Sequence, residues 1–194
     1  MNINDKRFIK NETLIRDTFL NLLKEKHYLD ISVAELCRSA LISKNTFYYH
    51  YENLDSLLKK IMNEEIKKIT RISEESTMNK NYSEEVAAET LLATFDCVND
   101  DFNVFYPLFL RDDEINFLNR LVAAVEEQTF REHRINRKED AGIILLTDYT
   151  VFGSLRFIKG WVLSKDSIST EEARRLLSEN LKIFLQQTHK LLVK

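Results

Sequence analysis

Three glycines and one proline in 194 residues leave this chain almost no means of turning sharply. Hairpins and tight turns draw on residues that tolerate positive φ, glycine above all, and on prolines that preset φ. A strand-rich fold therefore has little here to turn on. The apolar residues also recur at steps of three and four instead of alternating, which is the spacing of one helix face. Together these observations predict an all-α protein.

With 44% hydrophobic and 30% charged residues the chain has enough apolar surface to build a core. Its longest uncharged stretch, Phe102 to Leu110, is far short of the roughly 20 residues that span a bilayer. The segment Met1 to Arg7 carries no apolar signal core, so a cytoplasmic location without membrane contact is expected. Cys37 and Cys97 fall on separate predicted helices and are read as small buried thiols rather than a disulfide framework. The net charge of −3 is unevenly spread: residues 1–60 hold 10 Lys and Arg against 8 Asp and Glu, and the remainder 18 against 23. Where charge sits matters more to a polyanionic partner than its total, and the positive part is N-terminal.

Helix signals follow one another closely in that part. Asn11 is a candidate N-cap for a first helix with Leu14, Ile15, Phe19, Leu22 and Leu23 as its stripe, ending near Lys26, and His27 to Asp30 form the exit turn. Ser32 with Glu35 three residues later has the form of a capping box for a short helix from Val33 to Ala40. Ser43 caps the next, from Lys44 to Tyr51. Two short helices separated by about three residues, after a longer one, make the three-helix unit of helix-turn-helix domains.

Asn53 caps a fourth helix with Leu54, Leu57, Leu58, Ile61, Ile66 and Ile69 on one side, which links this unit to the rest. The boundary is expected in that helix or in the polar run Ser73 to Asn81, with residues 1–56 as the helix-turn-helix domain and 57–194 as a second helical domain. Further helices are predicted over Ser83–Asp101, over Phe102–Leu110 with Pro107 bending or ending it, over Asp113–Arg131, over Lys138–Ser164, and from a cap at Ser169 to about Leu192.

On the third helix, Phe47 and Tyr51 are i, i+4 partners that face inward against Leu36 and Leu14. Lys44, Asn45, Tyr48 and Tyr49 then point outward. Neighbouring exposed tyrosines suit a recognition helix, whose N-terminal polar residues enter the major groove while phenol, imidazole and backbone N–H groups dock on phosphates. Lys44 fits guanine O6/N7, and Asn45 fits the adenine N6/N7 edge or the backbone.

The run Ile31 to Leu58, about a quarter of the chain, resembles the TetR family of bacterial regulators. The resemblance implies that Ser43, Lys44, Asn45 and Thr46 approach bases or backbone, that Tyr48, Tyr49 and His50 hold phosphates with Ser32 at the start of the preceding helix, and that Phe47 and Tyr51 are core. It further implies a repressor acting as a homodimer on a palindromic double-stranded operator, with dimerisation through the two final helices. Two residues depart from the usual pattern: Leu41 stands where the turn often has Gly, and Leu54 where the fourth helix often begins with Lys.

In the last two helices, Ile144, Val151, Leu155, Ile158 and Val162, and Leu177, Leu181, Phe184, Thr188 and Leu191, form stripes expected at a dimer interface, with Gly153 and Gly160 on nearly one face. The family houses a small-molecule effector between its middle helices. Asp96, Asn99 and Asp148, with Phe105, Tyr106, Phe109 and Phe152, are the candidates for such a pocket. The segments around Tyr106-Pro107-Leu108 and Gly160-Trp161-Val162 are more loosely similar to regulators of dihydroxyacetone kinase operons.

An enzyme is not expected. There is no Gly-rich phosphate loop, no Cys or His pair at ligand spacing and no nucleophile elbow, and His27, His50, His133 and His189 are scattered. No cofactor or metal is implied. The competing reading is a protein-interaction module or coactivator with a degenerate helix-turn-helix, suggested by the acidic total and by Leu54.

Overall fold

The computed structural model describes residues 6–77, 84–132 and 141–192, excepting the side chains of 77, 84, 143 and 184–192. Among the described residues there are no strands. The helices are α1 (Lys6–Glu25), α2 (Val33–Ser39), α3 (Lys44–His50), α4 (Leu54–Thr77), α5 (Glu84–Asp100), α6 (Phe102–Leu110), α7 (Asp112–Ile115), α8 (Phe117–Glu132), α9 (Ala141–Leu163) and α10 (Thr170–Leu192). The all-α expectation holds.

Four of the predicted caps form. Ser32 Oγ accepts the Glu35 N–H at 3.2 Å, Ser43 Oγ accepts that of Thr46 at 3.0 Å, Asn53 Oδ1 that of Ser56 at 2.8 Å, and Ser169 Oγ that of Glu172 at 3.2 Å. Each satisfies an otherwise orphaned first-turn donor and contributes about 1 kcal/mol. Asn11 is not a cap, because α1 already includes Lys6 and Phe8 continues its apolar side by another turn.

The chain falls into two compact units, Met1–Glu65 with Asn103–Phe117, and Ile66–Phe102 with Leu118–Lys194. The division lies inside α4, between Glu65 and Ile66, nine residues beyond the expected 56/57. It also assigns to the first unit a segment from the middle of the chain that the sequence reading gave to the second.

In the first unit α1, α2 and α3 pack around Ile15, Phe19, Leu23, Leu36, Phe47, Leu57 and Ile61, each at most 1% exposed. Arg16 of α1 forms ion pairs with Glu64 and Glu65 of α4. The inserted segment brings Phe105, Phe109 and Phe117, whose ring centroids are 5.5 to 6.1 Å apart. Pro107 is buried inside α6 without ending it. The helix expected from Asp113 to Arg131 is broken instead at Asn116, whose φ of 55° is left-handed and whose N–H closes on Asp112 O at 2.8 Å. Asn is among the few residues that adopt this conformation readily.

The same segment grips the end of α1. Arg111 Nε donates to the Leu23 carbonyl at 2.9 Å, one of the last-turn acceptors a helix leaves unsatisfied. Glu114 accepts the Tyr28 N–H at 2.6 Å and lies 2.7 Å from His27 Nδ1.

In the second unit α5 packs against α10 and α9, and Phe95 stacks on Trp161 with centroids 4.3 Å apart. The stripes expected at a dimer interface are intramolecular core here: Val151, Leu155, Ile158, Val162, Leu177 and Leu181 are buried within the chain. Ile144 is half-buried, and Phe184, Thr188 and Leu191 lie outside the described side chains. On α9 it is the opposite face that is open, with Leu145 69%, Tyr149 66%, Phe152 46% and Leu163 40% exposed. Gly153 and Gly160 lie at its edge, and a Cβ built on either meets nothing within 4 Å.

Candidate nucleic-acid interface

The turn between α2 and α3 has a Schellman form: the Ile42 N–H reaches the Cys37 carbonyl at 3.0 Å and the Leu41 N–H the Arg38 carbonyl at 3.2 Å. That geometry places Leu41 at φ 52°, so a leucine occupies the left-handed position that glycine would fill without strain. Its side chain is 93% exposed and gains no packing in return.

Ser43 then starts α3, its hydroxyl also 2.9 Å from Thr46 Oγ1. The inner face is fixed as expected, with Phe47 fully buried, Tyr51 6% exposed and their rings 6.0 Å apart. Leu36 is buried, but Leu14 is 38% exposed and is not part of this contact set. On the outer face Lys44 and Asn45 are exposed, Tyr48 is 56% and Tyr49 59% exposed, and Thr46 and His50 are half-buried. Ser32 is exposed at the start of α2. Seven of the eight predicted contact residues thus share one short helix and its cap.

His50 is enclosed by rings: Phe8 at 4.2 Å, Tyr49 edge-on at 5.6 Å and Tyr51 at 6.2 Å between centroids. Burial holds its pKa below the ordinary histidine value, against the pull of Glu12, so the imidazole is neutral at pH 7. The Cys37 thiol is raised by burial and lies 3.9 Å from the Ser43 carbonyl, consistent with a packing role beneath the cap.

Cations near the other end of α3 are few. Leu54 is half-buried, and Lys60 is ion-paired with Glu12 and sits 5.5 Å from the centre of the Tyr51 ring. Lys59 is exposed.

Of the candidate pocket residues, three lie in the first unit and four in the second. Phe105 and Phe109 are fully buried in the first unit with Tyr106 half-buried beside them, whereas Asp96, Asn99, Asp148 and Phe152 belong to the second. Asp96 is held by Arg174 through bonds of 2.8 and 2.9 Å, and Asn99 Oδ1 lies 3.5 Å from both Lys165 Nζ and Thr170 Oγ1. The aromatic spacing that suggested a pocket lining is largely core. Among the described residues no group of three His, Cys, Asp or Glu is placed to hold a metal, and no helix is long and apolar enough to cross a membrane.

Sequence reasoning missed Phe8, whose contact with α3 has no local signal beyond an apolar residue one turn before Glu12. It also missed the grip of Arg111 and Glu114, made by residues far along the chain.

No family model matches the sequence, and no curated protein does. Solved structures do match in fold. The TetR transcriptional regulator from Streptococcus agalactiae 2603V is 20% identical, with a TM-score of 0.61 over 92% of this chain and 97% of that one. The dihydroxyacetone kinase operon activator DhaS is 16% identical, with a TM-score of 0.59 over 93% and 97%. The fatty acid degradation regulator FadR from Bacillus halodurans is 14% identical, with a TM-score of 0.62 over 90% and 94%. With so few identities and so complete an overlap, what is shared is architecture: this chain has the fold of the TetR-type transcriptional regulators.

Proposed function

We propose that the chain is a DNA-binding transcription regulator whose α3 enters the major groove. The observation that carries this reading is the division of α3 and its C-cap into a buried face, Phe47 and Tyr51, and an outer face on which Lys44, Asn45, Tyr48 and Tyr49 are exposed. Lys44 and Asn45 lie at the N-terminal end, where a recognition helix meets base edges, and Thr46, Tyr48, Tyr49, His50 and Ser32 serve the backbone. The protein acts in the cytoplasm as a homodimer on a palindromic operator. The open apolar face of α9 supports the dimer, since a second copy both covers those side chains and makes use of Gly153 and Gly160.

We take its action to be repression, relieved when a small molecule bound in the second unit, near Asn99 and Asp148, alters the separation of the two heads. One similar structure bears the name of an operon activator, so a reporter fused to the chain's own upstream region is needed to give the sign. The DNA reading itself is tested by titrating that upstream duplex at several salt concentrations. Binding whose log affinity falls linearly with log salt, and that competitor DNA of other sequence does not abolish, is the expected result. The competing reading, an interaction module, draws on the apolar Leu54 and the engaged Lys60. Absence of any sequence-specific complex at low salt would decide in its favour.

A further inference from the structure

The first described turns of α1 carry two lysines that the fold does not use. Residues 6–11 include Lys6, Arg7 and Lys10 and no carboxylate, all three cations are exposed, and Arg7 is engaged within the chain. Lys6 and Lys10 stand one helical turn apart, a like-charge spacing that weakens a helix. No described residue pairs with either of them. The next acid along the helix, Glu12, is already engaged by Lys60 and by the Tyr51 hydroxyl at 3.3 Å.

Position gives this surplus a use. Phe8 lies between the two lysines in sequence, and its ring rests on His50 at 4.2 Å and meets Tyr49 edge-on at 5.9 Å. That contact fixes the start of α1 beside the C-terminal end of α3, where the Tyr49 phenol is exposed. The same end of α3 has hydroxyls but little charge of its own, because Leu54 is apolar and Lys60 is paired with Glu12. Lys6 and Lys10 lie on the side of α1 away from Phe8. They therefore extend the basic surface outward from α3 instead of stacking on it.

We propose that the N-terminal part of α1 is a second DNA-backbone contact, in which Lys6 and Lys10 hold phosphates flanking the half-site and Phe8 positions them by its stack on His50. This rests on the DNA-binding reading above and adds to it a separate binding segment. The partner is the duplex backbone itself, so the contact raises affinity for every sequence and carries no base preference.

The test is the salt dependence of binding to the upstream duplex, measured over about 50 to 200 mM salt for the full-length chain, Lys6→Gln/Lys10→Gln, Phe8→Leu and Lys44→Ala. The double lysine variant is expected to lower the slope of log affinity against log salt by about 1.8 per bound head, since each phosphate contact contributes about 0.9. Its thermal midpoint and base preference should match those of the unsubstituted protein. Phe8→Leu should also lower the slope, although it removes no charge. Trimming the duplex just outside the half-sites should weaken the unsubstituted protein and leave the double lysine variant unaffected. A double variant with an unchanged slope, alongside a weakened Lys44→Ala, overturns this proposal alone. Failure of the unsubstituted protein to bind any duplex in a salt-dependent way overturns the DNA reading with it.

Discussion

Helices α3 and α9 both leave large aromatic side chains in solvent, and they differ in what surrounds the rings. On α3, Tyr48 and Tyr49 share the outer face with Lys44 and Asn45 and touch rings at their inner edges, Phe47 and Phe8. On α9, Tyr149 and Phe152 share a mainly apolar stripe with Leu145 and Leu163, with two glycines at one edge, Arg156 and Lys159 as its cations and Asp148 at its margin. A polar, cationic surround leaves a phenol free to bond a phosphate, whereas an apolar one asks for another apolar surface. The same signal, an exposed ring on a helix, thus points to nucleic acid at one place and to a second protein chain at the other.

The comparison can be broken first at the base of α3. Phe47→Ala removes a fully buried ring from the core of the first unit and should cost about 3 to 5 kcal/mol, read as a large fall in thermal midpoint together with loss of DNA binding. A near-normal midpoint would mean that the inner face of α3 is not the anchor assigned to it.

Charges on the open face of α9 come next. If the proposed dimer forms through this face, Tyr149→Glu with Phe152→Glu should weaken self-association about 100-fold or more in sedimentation while the helical circular dichroism is retained, because both side chains are exposed within one chain. If the doubly substituted protein remains as dimeric as the original, the face serves some other contact.

The smallest effect sharpens the α3 side. Leu41→Gly should raise stability by about 1 kcal/mol, since the left-handed position costs a leucine roughly that much and its exposed side chain returns nothing. A destabilised Leu41→Gly protein would show that the leucine makes a contact this account lacks.

What was legible in the sequence follows from how locally each feature is determined. Ser32, Ser43, Asn53 and Ser169 announce helix starts because an N-cap bonds an amide three residues on, within reach of a short pattern. The inward turn of Phe47 and Tyr51 was legible for the same reason. The α9 stripe was not, because spacing shows that Val151, Leu155, Ile158 and Val162 share a face but not whether that face meets its own chain or another. The break at Asn116 depends on one residue's φ, and the grip of Arg111 on Leu23 on residues 88 apart. Neither leaves a periodic trace. The assignment of Phe105 and Phe109 to the first unit was equally illegible, since helical spacing does not show which unit a segment joins.

Base reading by the outer face of α3 is measured by the base preference of the protein with Lys44 or Asn45 replaced by alanine. Selection from randomised duplexes should show each substitution relaxing preference at one position per half-site, at a cost of about 1 to 3 kcal/mol for the preferred base, with the remaining positions unchanged. Substitutions that left both affinity and preference at every position as they are in the unsubstituted protein would contradict it.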